Sequence, residues 1–520
     1  MPKDQNIPLD YIIIGGGPAG LQAAYCMQKN KSSYIVLEKA AVAGNFFNTF
    51  PRHGKLISIN KVYTGTDDHE TNLRWDWNSL LCDDPTLAFK HYSKEYFPAA
   101  NTLVNYLGDY AEKNQLNVQF NTHVVHIEKE DYFILTDQEG CHYHAQNIIV
   151  ATGFYKPYLP TIPGIELVEC YNDVSTNPED YCNQHVLIIG KGNSAFETAD
   201  NLVSTAASIH LISPNSIKMA WKTHYVGHLR AVNNNILDTY HLKSQNVILD
   251  ATIQSIVKEG NQFIVTVAYA HAEGEIEVLR YDRVIACTGF RFDTDMFADE
   301  CMPRLCSNKK LPVQTSSWES ANVPGLFFAG TLMQYLDYKK YMSGFIHGFR
   351  YNVQSLCENL FARYQNHARP QKRLPLTLPE LVNTIIQRVN HASGLWQQPG
   401  FLVDVLSIDT DNNCANYSKL LSMPYTLEHI CNQGAHFIIS LEFGKQDASD
   451  PFSINRINRT NTSEANRSTF LHPVIRYYVD AKLIGEHHVI EDLLGVWNEP
   501  EHVEPLLNYV QAQLKQLIDL

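Results

Sequence analysis

No apolar run in this 520-residue chain reaches the roughly 18 residues that a membrane-spanning helix needs. The opening residues, Met1 to Leu9, are polar and lead straight into an apolar strand, so no secretory signal is expected there. The chain ends Leu517-Ile518-Asp519-Leu520, which is not an ER-retention address. No long Lys/Arg run occurs: 41 basic residues face 55 acidic ones, for a formal charge of −14. That balance excludes a phosphate backbone or an anionic membrane surface as the expected partner, so neither nucleic acid nor membrane is expected. No Cys-x-x-Cys occurs among the 11 cysteines. An odd, scattered set of thiols reads as a reducing, cytoplasmic compartment, in which the sequons at Asn458, Asn461 and Asn466 carry no meaning. No internal repeat of about 20–50 residues is evident.

What is present is an ordinary globular composition, 44% hydrophobic and 18% charged, long enough for about three domains. One long-range echo organises it. Tyr11-Ile-Ile-Ile-Gly-Gly-Gly-Pro-Ala-Gly20 is an apolar strand running into a glycine-rich turn. His185-Val-Leu-Ile-Ile-Gly-Lys-Gly-Asn-Ser-Ala195 repeats the design. Each is followed by a helical pattern (Leu21 to Lys29, Phe196 to Val203) and then a strand (Tyr34 to Glu38, Ile209 to Ser213). These are two Rossmann-type βαβ starts. Apolar strands at Asn147 to Gly153, Arg283 to Gly289 and Val323 to Gly330 return the chain to the first unit. After residue 365, Pro370, Pro375 and Pro379 punctuate a linker-like stretch. The expected fold is α/β: a two-dinucleotide-binding flavoprotein with an NAD(P)-binding Rossmann domain (164–283) inserted in an FAD-binding Rossmann domain (1–163 and 284–365), plus a C-terminal α+β extension (366–520).

The motifs carry the chemistry. Gly15 permits the tight turn, Gly17 the close approach of a pyrophosphate, and Gly20 the packing of helix on strand; the helix N-terminus adds N–H donors. Glu38 follows 18 residues after Gly20 and would accept hydrogen bonds from an unphosphorylated ribose. Gly-Gly-Gly-Pro18-Ala19-Gly is the form typical of FAD proteins. The second loop, Gly190-x-Gly192-x-x-Ala195 with Asn193 and Ser194, would hold a nicotinamide dinucleotide. The strand after it ends Leu211-Ile-Ser-Pro-Asn215, with neither Asp/Glu for a 2′-hydroxyl nor Arg for a 2′-phosphate. Ser213, Asn215 and Lys218 could help a phosphate, so NADPH is favoured, with NADH as the second candidate. For FAD the remaining candidates are Lys39, Asn45, Phe46, Arg52, Lys55, Ser58, Val125, Thr152, Gly153, Gly330, Ser343 and Gly344. Ser343 and Gly344 open a helix whose N–H groups could face the flavin. Lys55, Ser58, Asn60 and Lys61 are the polar groups expected near it.

Several longer stretches carry a family resemblance. They are Phe50-Pro-Arg-His-Gly-Lys-Leu-Ile-Ser-Ile-Asn-Lys61, Tyr63-Thr-Gly65, Leu73-Arg-x-Asp-Trp-Asn-Ser-Leu-Leu81, Gly192-Asn-Ser-Ala-Phe-Glu197, Thr223-His-Tyr-Val-Gly227 and Gly344-Phe-Ile-His-Gly-Phe-Arg-Tyr351. In the tail, Phe437 to Lys445, Leu471-His-Pro-Val-Ile-Arg476 and His487-His-Val-Ile-Glu-Asp492 join them. Together they resemble the FAD-dependent oxidoreductase-domain flavoproteins of the class B flavin monooxygenase superfamily, over nearly the whole chain. The best-known member is luminal, and its ER role is not carried over. The fingerprint of flavin-containing monooxygenases has Phe-x-Gly-x-x-x-His; here the stretch reads Ile162-Pro-Gly164-Ile-Glu-Leu-Val168, without the histidine. Gly65 stands where those enzymes place Asn, and Gly330-Thr331 replaces the Gly-Asp of many flavoproteins.

For the reacting centre, Asn60, Lys61, Arg74 and Asp76 are the catalytic candidates: a cation stabilises reduced flavin, and an Arg beside an Asp can position the nicotinamide amide. Trp77 and Asn78 complete that cluster. Cys301-x-x-x-x-Cys306 is the only close thiol pair, and incidental thiols are the favoured reading. His487, His488, Glu491 and Asp492 have a spacing a metal could use on a helix, but no metal is expected. His347 and Arg350 read as packing or pairing groups. The expected activity is NAD(P)H oxidation through FAD, with oxygenation of a small-molecule nucleophile or carbonyl by a flavin C4a-(hydro)peroxide formed from O2. The alternative is electron transfer to a thiol or protein acceptor. A third reading is a non-enzymatic flavoprotein adaptor. The tail is expected to cover the crevice or build a substrate pocket. Oligomeric state stays open.

Overall fold

The computed structural model describes residues 7–444 and 454–518. Residues 1–6, Lys445 of the tail motif, and the terminal Asp519-Leu520 lie outside the described residues. Ile12, Ile13 and Ile14 are buried, as an apolar strand covered by helices on both faces must be. Their strand, Leu9–Ile14, pairs in parallel with Tyr34–Leu37 on one side and with His142–Val150 on the other. Val118–Gln119 extends the sheet at one edge. Phe133–Asp137 and Val124–Lys129 extend it at the other in antiparallel fashion. Leu326–Phe328, far along the chain, pairs in parallel with Ile148 to Val150.

Between those two visits the chain builds a second sheet. Its order is Ile276–Tyr281, Gln262–Tyr269, Val247–Glu259, Ser208–Ser213, His185–Ile189, Arg283–Ala286 and Glu169–Cys170. The α/β fold is therefore two nested Rossmann-type units, one inserted in the other. The observed helices start earlier than the hydrophobic pattern alone implies. They run Pro18–Lys29 and Asn193–Leu202, because the glycine turn leads into the first helical turn directly.

The tail folds on a six-stranded antiparallel sheet ordered Lys372–Pro375, Cys414–Ser422, Leu402–Asp409, Ala435–Glu442, His472–Val479, Lys482–His488. Helices Leu378–His391 and Pro500–Ile518 close its core, where Leu381, Ile385, Phe437, Ile439, Trp497 and Leu506 are buried together. One expectation is corrected here. His487 and His488 lie on a strand rather than a helix, so they point to opposite faces. His487 stacks on Tyr509, whereas His488 bonds His472 and Glu486. Among the described residues no group of His, Cys, Asp and Glu is placed to hold a metal ion. No helix of the described residues is long and apolar enough to cross a membrane.

The tail packs behind the cavity loops. Gln397 donates to the carbonyls of Leu73 and Arg74 at 2.9 and 2.6 Å, Gln398 donates to Ser343, and Phe443 stacks on His224 of the inserted domain. Contrary to the expectation of a tail-built pocket, no described residue beyond 365 lines the cavity.

Candidate dinucleotide and active site

One cavity of about 1190 Å³ runs from the first glycine loop to the second. A single small-molecule site fills roughly 300–1,000 Å³, so this space exceeds one such ligand. Gly17, Pro18, Ala19, Thr152, Gly153, Gly330, Thr331 and Gly344 wall one end; Gly190, Lys191, Gly192, Asn193, Ser194 and Ser213 wall the other. Aromatic residues join them: Phe46, Phe47, Phe50, Trp77, Tyr171 and Phe290.

The first loop has the shape a pyrophosphate needs. Gly15 sits at φ +106°, and a Cβ there would lie 2.9 Å from the Ala151 carbonyl oxygen. A Cβ at Gly20 would lie 1.9 Å from the Gly15 oxygen, so only glycine lets the helix pack this close. At Gly17 a Cβ would meet nothing within 4 Å, and no side chain caps the Pro18–Lys29 helix. Its first-turn N–H groups are left for a ligand. Glu38 accepts from the backbone N–H groups of Gly16 (2.6 Å) and Ala40 (2.8 Å). The Thr152 and Thr331 hydroxyls are buried against the cavity without a hydrogen-bond partner. An orphaned pair beside an open glycine cradle fits the ribityl and phosphate groups of FAD.

The second loop differs at one point. Ala195 is fully buried in place of the third glycine, while Gly190 (φ +129°) keeps the close approach, a Cβ there falling 2.3 Å from the Cys287 oxygen. Asn193 ties the loop to the 228–230 segment, donating to the His228 carbonyl at 2.9 Å and accepting from the Arg230 N–H at 3.0 Å.

The four catalytic candidates are corrected, because none of their side chains lines the cavity. Asn60 is buried and donates to the carbonyls of Ser93 (2.8 Å) and Glu95 (3.2 Å). Lys61 is exposed and absent from the wall. The Arg74 guanidinium lies 4.0 Å from the centre of the Trp396 ring, a cation–π contact with the tail. Asp76 accepts from the N–H groups of Asn78 (2.9 Å) and Ser79 (2.8 Å), closing a turn. Arg350, fully buried, pins that turn by donating to the carbonyls of Leu73, Asp76 and Ser79 at 2.8, 2.9 and 2.7 Å. The cluster holds the turn that carries Trp77, and Trp77 lines the cavity.

Other cofactor candidates also stand outside the wall. Lys39 lies over the Tyr155 ring, and the Val125 side chain is 42% exposed on an outer strand. Asn45 bonds Asn48, and Arg52 donates to the Val174 carbonyl at 2.8 Å, tying the two units together. Ser343 is buried with Asn352 and Gln398. The helix expected to open at Ser343 and Gly344 begins at Ile346, which leaves Gly344 in the cavity wall and Ser343 behind it. Phe46, Lys55 and Ser58 do line the cavity. Cys301 donates to the Ile127 carbonyl and Cys306 to Asn308, so the close thiol pair is held by different partners. The segment with Val168 in place of histidine packs under the Val247–Glu259 strand, where a Cβ at Gly164 would overlap the Ile256 oxygen at 1.8 Å.

The reactive wall comes from residues outside the four catalytic candidates. Glu197 lies one turn beyond Asn193 on the same helix face and accepts from the Tyr171 hydroxyl at 3.2 Å. Burial pushes its carboxyl up to about 7, poised for proton transfer near neutral pH. His347 is stacked on Trp77 with ring centres 4.2 Å apart, and Arg230 lies 5.1 Å from the centre of the same Trp77 ring. Burial, with Arg350 and Arg230 adding to it, pushes the His347 pKa well down, so its imidazole is neutral. Cys287 is the one cysteine among the described wall residues, and burial pushes its thiol up to about 12. The stretch Gly192 to Glu197 was the available signal for Glu197, and Gly344 to Tyr351 for His347 at the start of the Ile346–Tyr364 helix; Tyr171 and Arg230 arrive from loops with no local motif.

The comparisons agree with this architecture. Residues 12–330 match the model of the pyridine nucleotide-disulphide oxidoreductase family. The chain belongs to that family and is a flavin-dependent oxidoreductase, with FAD as its cofactor. Within it, the chain is 38% identical to the mouse (Mus musculus) protein named FAD-dependent oxidoreductase domain-containing protein 2, over 96% of this chain and 83% of that one. The zebrafish (Danio rerio) protein of the same name is 34% identical, over 99% of this chain and 84% of that one. Among solved structures, a flavin-containing monooxygenase from Stenotrophomonas maltophilia shares the fold with a TM-score of 0.53 at 20% identity, covering 68% of this chain and 98% of that one. The bacillithiol disulfide reductase Bdr from Staphylococcus aureus does so with a TM-score of 0.51 at 19% identity, covering 69% and 99%.

Proposed function

We propose that the chain is a nicotinamide-oxidising flavoprotein monooxygenase acting on a small nucleophile or carbonyl in the 1190 Å³ cavity. When bound, FAD accepts a hydride from a reduced nicotinamide and passes the electrons to oxygen or another acceptor. The chain's own residues supply the rest. The first glycine loop with Thr152 and Thr331 holds the FAD, and the second glycine loop holds the nicotinamide dinucleotide. Trp77, Phe50, Tyr171 and Phe290 keep water from the space between them. Glu197, near its midpoint of protonation at neutral pH, holds or releases a proton at its Oε2 beside the Tyr171 hydroxyl.

One observation carries oxygenation over disulfide reduction. The only thiol in the described wall, Cys287, is buried, which pushes its pKa up to about 12, whereas disulfide exchange needs an accessible thiolate. Val168, where related monooxygenases carry histidine, favours the second reading, electron transfer to an external thiol or protein. A reducing, cytoplasmic compartment is proposed with it, supported by the scattered thiols. The test supplies reduced nicotinamide, oxygen and an aryl methyl thioether. Sulfoxide matching the nicotinamide consumed is the expected result. Hydrogen peroxide matching it, with no sulfoxide from thioether, amine or ketone probes, would sink oxygenation. Reduction of an aromatic disulfide probe would then support the second reading.

A further inference from the structure

The strand after the second glycine loop ends without an acidic residue of its own, but the neighbouring strand brings one to the same place. Ser213, the last residue of that strand, is paired in parallel register with Asp250. Lys191, between Gly190 and Gly192, donates to the carbonyls of Ser213 and Asn215 at 3.1 Å each and to the Asp250 carboxylate. An ammonium has three N–H donors, and all three are used. The Lys191 side chain is 4% exposed. Asp250 also accepts from the Ser216 hydroxyl at 2.6 Å, yet its side chain stays 27% exposed. Burial works against ionisation of Asp250, but the bonds from Lys191 and Ser216 outweigh it, and His271 adds to them, so the carboxylate is charged at neutral pH. Ser213 donates its hydroxyl to the Asn215 carbonyl, so it too is engaged. Lys191, Ser213, Pro214 and Asn215 wall the end of the cavity next to the second glycine loop.

We propose that Asp250 reads the adenosine ribose of the nicotinamide cofactor, and that its pairing with Lys191 sets the preference to NADH, in place of the NADPH expected from the strand's own sequence. The assignment rests on the nicotinamide site of the proposed function. An unphosphorylated ribose offers two hydroxyl donors to a partly open carboxylate. A 2′-phosphate brings about −1.5 to −2 charges beside that carboxylate, as phosphate esters do at neutral pH, and Lys191 has no donor left for it. The pair therefore attracts one cofactor and repels the other, which is how a site discriminates with few contacts.

The test is a calorimetric titration of the FAD-containing protein with ADP-ribose and, separately, with 2′-phospho-ADP-ribose. It is accompanied by anaerobic flavin reduction with NADH and NADPH. ADP-ribose is expected to bind at least about tenfold tighter, the scale of one charge-assisted contact. Asp250→Asn removes the charge and frees Lys191, so the ratio is expected to collapse or reverse. Lys191→Gln leaves the carboxylate uncompensated, so the ratio is expected to widen; this variant serves if the first fails to fold. Tighter binding of the 2′-phosphorylated ligand by the natural protein overturns the assignment, as does an unchanged ratio in both variants. Failure of either ligand to bind folded, FAD-containing protein overturns the nicotinamide site itself. That outcome differs from binding with the wrong ratio, which overturns the role of Asp250 alone.

Discussion

Replacing Gly17 by alanine separates the needs of the protein from those of its ligand. Gly17 has φ −81° and ψ −176°, extended backbone open to any residue, and an added Cβ meets no protein atom within 4 Å. Exchanging an N-cap glycine for alanine costs up to about 1 kcal/mol. Reduced freedom of the unfolded chain returns about 0.4–1 kcal/mol. The flavin-free protein should therefore change in stability by less than about 1 kcal/mol. The methyl group, however, fills the space through which a pyrophosphate reaches the helix N-terminus. Each charge-assisted N–H bond lost there is worth about 1.5–3 kcal/mol. FAD affinity should fall at least tenfold, a factor that corresponds to about 1.4 kcal/mol. Gly20→Ala is the contrasting change: its Cβ would stand 1.9 Å from the Gly15 oxygen, so overpacking of about 1–3 kcal/mol destabilises the protein itself. The assay is flavin content after gel filtration, reconstitution of apoprotein followed by flavin fluorescence, and thermal melting without flavin. A Gly17→Ala protein that melts normally and holds FAD as tightly as the parent would refute the placement of the cofactor.

Three further outcomes follow from the same geometry. Arg350→Met leaves three buried carbonyls, those of Leu73, Asp76 and Ser79, without their donor. The loss should be roughly 3–5 kcal/mol, from about 1–3 kcal/mol for each unsatisfied carbonyl, with a melting temperature lower by about 3–5 °C and a shift in Trp77 emission; a loss under about 1 kcal/mol would mean that the turn holds itself. Glu197 has its folded-state pKa raised by burial from 4.5 to about 7, so below about 4.5 it costs nothing and stability falls as pH rises through about 7. Glu197→Gln should remove that fall in melting experiments and flatten the pH profile of turnover near neutrality; parallel profiles for both proteins would count against it. Cys287→Ser should leave flavin reduction and oxygen use unchanged, since a thiol pushed up to about 12 is not a nucleophile; loss of activity toward a disulfide probe alone would revive thiol chemistry.

Both glycine loops were legible because each is one continuous stretch: an apolar strand, a turn that only glycine allows, and a helix start. The same locality made the insertion of one unit in the other readable, since the returning strands carry their own apolar signature. The cavity wall was not readable in this way. Trp77, Tyr171 and Arg230 come from separate loops and His347 from the start of the Ile346–Tyr364 helix, and the contacts that join them exist only after both sheets have formed. Arg74 and Asp76 looked catalytic because a polar–aromatic cluster is ambiguous by itself. What decides their role is Arg350, 274 residues beyond Asp76, which turns the cluster into a support. Asp250 went unseen for a related reason: it reaches the second loop from an adjacent strand, and register between strands is a tertiary property. The tail's place behind the 73–79 turn likewise depends on Gln397 and Trp396 meeting partners more than 300 residues away.

The most direct measurement is the fate of heavy-oxygen-labelled O2 during turnover. FAD-containing protein is reduced anaerobically with NADH, mixed with labelled oxygen and a thioether, and the products are weighed by mass spectrometry. The account predicts one labelled oxygen atom in the sulfoxide for each NADH oxidised. NADH oxidation with all label recovered as hydrogen peroxide, and none in any organic product, would contradict it.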